Sequence, residues 1–391
     1  MKGCTTMKIR TNRAFEKLPV NYLFSETAKR ISDYEKANPE KKVCRLGIGD
    51  VVLPLGKTVI RAMQTAAAEM GETVCGYAPE SGYDFLKESI SHWYLRRKVE
   101  IPSEWIFVSD GAKNDLGALS DLFGKNPIYV PDPGYPVYAD VNLLAKHRVY
   151  RMAAVKENGF LPMPYEVHHN RAIVYLCSPH NPTGTAYTKR QLQTWVNFAR
   201  ETDSLLFFDN AYEAFQPEDS PHTIYETEGA TECAVEINSL SKSAGFTGIR
   251  VGWSVFPQNA LRLLWARRQA CKHNGVSYVS QRAAQAALSE EGIAEIREHT
   301  AYYLENAALL REALRDNDVS FAGGVCSPYL WLQVPEGHTS WDFLDQMLQK
   351  AQIAATPGAG FGKFGEGYLR LSAFASRKTV TEVCHRLWMC F

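Results

Sequence analysis

The middle of the chain alternates short, wholly apolar runs with segments whose apolar residues recur three and four positions apart. Residues 105–108, 128–130, 172–177, 205–208 and 234–237 read as strands. Between them, Lys189–Glu201 sets Leu192, Trp195, Val196 and Ala199 along one helical face. This alternation predicts an α/β domain with a largely parallel sheet, and strands apolar throughout predict helices on both of its faces. From Gln258 the pattern changes. A long helical region to about Asn317 precedes short strands at 329–332 and 368–372 and helices near 341–350 and 379–388. That pattern predicts a second, smaller α+β domain, joined by an N-terminal segment with a helix over 26–37. The expected division is 1–55 with the small domain, 56–260 as the large domain, and 261–391 as connecting helices and small domain.

Composition narrows the function. Of 391 residues 45% are hydrophobic and 22% charged, as in ordinary globular proteins. Lys plus Arg (43) equals Asp plus Glu (43), so no basic excess points to nucleic acid or an anionic membrane surface. Nine cysteines stand singly with no Cys-x-x-Cys, against a disulfide framework or a zinc site, and no metal is expected. No apolar run nears ~20 residues and no apolar leader occurs in the first 18. The expected location is cytoplasmic, with small molecules rather than nucleic acid or membrane as partners.

Six segments carry chemistry. Ser239-Leu-Ser-Lys242-Ser-Ala-Gly-Phe-Thr-Gly-Ile-Arg250 follows an apolar strand. A lysine that reacts with a carbonyl must lose its proton, small residues let the backbone approach a phosphate, and Arg250 adds a planar cation. The plain alternative is a surface lysine in a flexible loop. Leu205-Leu-Phe-Phe-Asp209-Asn-Ala-Tyr212 puts an acid where open α/β sheets bind ligands. That acid could hold a pyridine nitrogen protonated, with Tyr212 donating to a ring oxygen. In Cys177-Ser-Pro-His-Asn181-Pro-Thr-Gly184, Asn181 presents its amide to the strand-end crevice. Ser109-Asp-Gly-Ala112-Lys113 opens a helix and offers N–H groups to an anion. In Asp132-Pro-Gly-Tyr135-Pro, Tyr135 could lie flat on an aromatic ring, and Arg370, inside the apolar Tyr368-Leu-Arg370-Leu-Ser, demands an anion such as a carboxylate. Gly358-Ala-Gly-Phe-Gly-Lys363-Phe-Gly lacks the βαβ context of a nucleotide loop and reads as a flexible approach to Arg370. His168-His169 reads as a solvated turn.

In this order the segments resemble the fold type I pyridoxal-phosphate aminotransferases, and among them the LL-diaminopimelate aminotransferase family. The likeness runs from Asn21-Tyr22-Leu-Phe, through Leu46-Gly-Ile-Gly49-Asp and Gly76-Tyr77-Ala-Pro-Glu80-Ser-Gly, to Tyr368-Leu-Arg370-Leu-Ser. It implies pyridoxal 5'-phosphate as cofactor, held by Lys242 as a Schiff base, with Asp209 on the pyridinium. Asn181 and Tyr212 would contact the ring oxygen and Tyr135 would stack on the ring. Ala112, Ser239, Ser241 and Arg250 would bind the phosphate, with Lys113 beside them and Tyr77 reaching in from a second subunit.

For the substrate, the resemblance implies Arg370 on the α-carboxylate. Tyr22, Gly49, Glu80, Lys113 and Asn274 would line the pocket, with Tyr135 and Asn181 also touching substrate. Tyr22, Glu80 and Asn274 would come from the partner chain of a homodimer. The family moves an amino group between LL-2,6-diaminopimelate and 2-oxoglutarate, a step toward lysine and cell-wall precursors. The chain departs from the family at Val51-Val52 (usually Thr-Thr), His180 (Asn) and Leu240 (Phe). Other readings stay open: an aminotransferase for lysine, aromatic or dicarboxylic amino acids, a β-lyase, or a non-catalytic regulator that binds the same cofactor.

Overall fold

The structure, a computed structural model, describes residues 10–19 and 22–391; Asn21 of the first matched motif lies outside the described residues. β1 (Cys44–Arg45) precedes the main sheet. That sheet holds β2 (Ile106–Ser109), β3 (Ile128–Asp132), β4 (Val149–Ala153), β5 (Ile173–Cys177), β6 (Leu205–Asp209), β7 (Ala234–Ser239) and β8 (Gly252–Val255). Their spatial order is β2-β8-β7-β6-β5-β3-β4. All point the same way except β8, antiparallel to both neighbours. Downstream lie β9 (Phe321–Gly323), β10 (Tyr329–Gln333), β11 (Ile353–Ala354), β12 (Thr356–Pro357) and β13 (Tyr368–Ser372). β12-β13-β10-β9 form an antiparallel sheet, and β11 pairs in parallel with β1.

The period-2 geometry of strands explains why the main strands are apolar at every position. Val174, Leu176, Leu206 and Phe208 enter one core, with Trp195 and Val196 of the helix Lys189–Glu201. Ile173, Tyr175, Cys177 and Phe207 enter another on the opposite face, with Leu116 and Leu119 of the helix Ala112–Leu119. Thr188 and Gln191 close a capping box at the start of Lys189–Glu201, a feature that contributes about 1 kcal/mol. Truncating fully buried Trp195 to Ala would cost about 3–5 kcal/mol.

A further core gathers Leu330 and Leu332 of β10, Leu369 and Leu371 of β13, and Leu310 and Leu314 of the helix Glu290–Asp316. Ile31, Cys44 and Leu46 from the N-terminal segment pack into it. The α/β class expected from the pattern is the class observed. The continuous helical region is not: it is three helices, Asn259–Lys272, Tyr278–Ala287 and Glu290–Asp316. The first break falls at residues 273–277, where Gly275 has φ of 77° and sits so close to the carbonyls of Ala78 and Pro79 that a side chain would collide with them.

Candidate active site

β2, β3, β5, β6 and β7 deliver their carboxyl ends to one edge. The turn after each carries a candidate residue: Ala112 and Lys113, Tyr135, Asn181, Asp209 with Tyr212, and Ser239, Ser241 and Lys242. Register sets them level, Cys177 opposite Asp209 and Asp209 opposite Ile237. With Gly49, Asp50, Arg250, Tyr329 and Arg370 they line one cavity of about 410 Å3, a suitable size for a small cofactor plus a substrate.

One end of the cavity is built for an anion. Gly111, with φ of 114°, precedes the helix Ala112–Leu119, and a Cβ there would strike the Arg250 guanidinium. Glycine therefore lets Arg250 lie over the helix start. Arg250 donates to Ser241 Oγ at 3.0 Å, and Ser239 Oγ accepts from the Ser241 N–H at 3.1 Å. Helix N–H groups, two hydroxyls and a guanidinium converge, which suits a phosphate dianion.

The same cavity holds a buried acid. Asp209 is 5% exposed; one oxygen accepts from Tyr138 Oη at 2.5 Å and the other from the Ala211 N–H at 3.2 Å. Burial pushes its carboxyl up to about 6, against those two hydrogen bonds. At neutral pH it is an anion awaiting a cationic partner, and a protonated ring nitrogen fits. The residues present thus fit a phosphorylated pyridine.

Lys242 sits in the short helix Leu240–Ser243, and its Nζ donates to the Gly49 carbonyl. Burial pushes its pKa down to about 8, Asp50 opposes the shift, and Arg370 and Arg250 reinforce it. Arg370 is 1% exposed, donates to Asn181 Oδ1 at 2.7 Å and to the Gly47 carbonyl at 2.9 Å, and leaves Nε without a partner. Among the described residues no carboxylate pairs with this buried cation.

The stretch 358–365, expected to be flexible, is instead two tight turns, Gly358–Phe361 and Lys363–Gly365. Gly134 N–H donates to the Phe361 carbonyl and Phe364 N–H to Asp132 Oδ1, both at 3.0 Å. Because the Phe361 ring also lies 4.9 Å from the Arg370 guanidinium carbon, Phe361 joins the Tyr135 turn to Arg370.

Four expected positions lie apart from this cavity. Tyr22 was expected from a partner chain. The structure places it beside its own pocket, hydrogen-bonded to Tyr135, with Lys113 Nζ 5.5 Å from its ring. The reason is local: Tyr22 leads into the helix Leu23–Ala37, whose Phe24 lines the same cavity. Tyr77, 89% exposed, and the exposed Glu80 and Asn274 lie outside the cavity. The Gly275 contact with Ala78 and Pro79 holds the last two near each other.

Sequence reasoning missed Tyr138, Tyr329, Asp50 and Phe361. Tyr138 had a faint signal, three residues after Tyr135 at a helix start; the others act through contacts distant in sequence.

Residues 41–387 match the family model described as aminotransferase class I and II. LL-diaminopimelate aminotransferases of Agathobacter rectalis and Lachnospira eligens are 44% and 45% identical, each over 96% of this chain and 98% of theirs. A solved structure of L,L-diaminopimelate aminotransferase from Chlamydomonas reinhardtii superposes with a TM-score of 0.91 at 37% identity, covering 98% of both chains. The chain belongs to the class I and II aminotransferase family, in the company of the LL-diaminopimelate aminotransferases.

Proposed function

We propose that this chain is a pyridoxal-phosphate-dependent LL-2,6-diaminopimelate:2-oxoglutarate aminotransferase that works as a homodimer. The observation that carries the reading is Arg370, a buried cation with a free donor and, among the described residues, no paired carboxylate, sharing a cavity with Lys242, Asp209 and a phosphate-type donor set. Its relatives' names supply the substrate.

Bound in this cavity, pyridoxal phosphate supplies a protonated ring that takes up the electron pair of the substrate Cα–H bond. The chain's residues do the rest. Ala112 N–H, Ser239, Ser241 and Arg250 would hold the phosphate, and Asp209 would keep the ring nitrogen protonated. Tyr212 and the Asn181 amide would donate to the ring oxygen, and Tyr135 would cover the ring face. Lys242 would anchor the cofactor, and its Nζ, whose pKa burial pushes down to about 8, would serve as the base that moves the Cα proton. Arg370 would clamp the α-carboxylate.

The remote end of diaminopimelate carries a second ammonium and a second carboxylate. Lys113 and Tyr22 meet it from the same chain. Glu80 and Asn274, exposed on one edge with Tyr77 and Val74 (99% exposed), support delivery into a neighbouring subunit's site, with Tyr77 reaching that site's phosphate. Val51 and Val52 follow Asp50, which lines the cavity, and the Val52 and Leu53 N–H groups both donate to Tyr303 Oη at 3.0 Å.

The test is a substrate screen with cofactor-loaded protein, following 2-oxoglutarate-dependent loss of amine. Diaminopimelate should be preferred over lysine, aromatic amino acids and aspartate. Glu80→Gln should lower its kcat/KM at least roughly tenfold, one charge-assisted hydrogen bond's worth, and affect glutamate much less. Equal loss for both substrates, or preference for lysine, would remove the diaminopimelate assignment and leave an aminotransferase of other specificity.

A further inference from the structure

Tyr329 stands at the junction of three groups already assigned work. It is 1% exposed, at the start of β10, and lines the cavity. Register places Trp331 opposite Arg370 and Tyr329 opposite Ser372, so Tyr329 is diagonal to Arg370 on the same face of the sheet. Arg370's guanidinium carbon lies 4.3 Å from the Tyr329 ring centre, nearer than to the rings of Phe361 (4.9 Å) or Phe24 (5.7 Å). At its other end the Tyr329 hydroxyl is 2.9 Å from that of Tyr212. A Cβ on Gly49 would collide with the same hydroxyl, so Gly49 leaves room for it.

We propose that Tyr329 is a positioning residue with two separable duties: its hydroxyl directs the Tyr212 proton toward the cofactor's ring oxygen, and its ring face holds Arg370 in place for the substrate carboxylate. The proposal rests on the cofactor reading above. A phenol has one proton to donate. If Tyr212 gives its proton to an anionic ring oxygen, the 2.9 Å contact persists only with Tyr329 as donor and Tyr212 as acceptor. A hydroxyl that accepts a hydrogen bond donates a stronger one. Tyr329 thereby favours the deprotonated ring oxygen and lowers the pH at which the bound chromophore titrates. The ring duty is independent, since a cation over a desolvated aromatic face is attracted by the ring whether or not a hydroxyl is present.

The two duties separate by substitution. Tyr329→Phe keeps the ring and loses the hydroxyl. In the cofactor-loaded protein, the visible absorbance change should move up by about half a pH unit, with KM for the amino acid unchanged. In a Tyr212→Phe background the same substitution should produce no further movement, a coupling that a packing role alone does not create. Tyr329→Leu, with thermal melting to verify folding, should in addition raise KM about tenfold while Tyr329→Phe does not. An unchanged titration in Tyr329→Phe, or an equal shift in the Tyr212→Phe background, overturns the hydroxyl duty. A KM that rises equally in Phe and Leu overturns the ring duty. If the wild type takes up no pyridoxal phosphate, the cofactor reading itself falls and the proposal falls with it; the wild-type spectrum tells the two failures apart.

Discussion

At neutral pH an ordinary lysine is almost wholly protonated and is neither nucleophile nor base. Lys242 escapes this through its surroundings: burial and two arginines push its pKa down to about 8, while Asp50 pushes back. The sign of the Asp50 effect is testable. Removing an anion disfavours the ammonium, so Asp50→Asn should lower the Lys242 pKa further. Cofactor capture by the stripped protein, trapped with borohydride over a series of pH values, should rise with a midpoint near pH 8 in the wild type and lower in the variant. Label on any other lysine, or an upward midpoint, would contradict the assignment. None of this tuning could be read from the motif around Lys242. The motif names the lysine, but Asp50 and Arg370 lie far away along the chain.

Among elements, the wholly apolar strands were legible because both faces of the sheet are covered, and the helix Lys189–Glu201 because one face alone is buried. β4 and β8 were not. β4 is an edge strand with half-exposed residues, and β8 is four residues containing Gly and Ser. The start of the helix Ala112–Leu119 hides another element-scale effect. Asp115, 2% exposed, accepts from Ser109 Oγ at 2.8 Å and Ser254 Oγ at 2.6 Å, locking the helix to β2 and β8. Burial pushes its carboxyl up to about 7, against both hydroxyls. The folded state therefore holds this proton more tightly than the unfolded chain. That contribution to stability is complete below the ordinary carboxyl pKa of 3.8 and is lost as pH rises through about 7. Asp115→Asn keeps an acceptor oxygen and cannot ionise. Urea midpoints measured at about pH 5 and about pH 8 should show the variant gaining on the wild type as pH rises, by up to about 2–4 kcal/mol. A gap that does not widen with pH would argue that Asp115 ionises in the folded protein as readily as in the unfolded chain.

For the whole molecule, the positions outside the cavity sort into two kinds. Tyr22 faces its own site, whereas Tyr77, Glu80 and Asn274 do not. Mixed subunits distinguish the kinds. In the proposed homodimer, Lys242→Ala chains combined with Glu80→Ala chains should recover roughly a quarter of wild-type activity, because random mixing makes half the dimers hybrids, each with one intact site. Lys242→Ala combined with Tyr22→Ala should recover none, because the intact lysine and the intact Tyr22 then sit in different sites. Recovery in the second mixture would place Tyr22 across the interface after all.

The Phe361 bridge has a consequence for what the site will accept. Its carbonyl is pinned to the Tyr135 turn and its ring to Arg370, so the distance between that turn and the carboxylate clamp is set by one residue's dimensions, like the jaws of a fixed gauge. On the proposed function, an α-amino acid would lie between the two. A β-amino acid, with one more methylene between nitrogen and carboxylate, overshoots by about 1.5 Å. With no slack in the gauge, the overshoot misplaces the Cα–H bond from Lys242, and a misplacement near 1 Å costs about 100-fold in rate. The β-homologue of glutamate should therefore bind and turn over roughly 100-fold more slowly, and Phe361→Ala, by loosening the jaws, should narrow that difference.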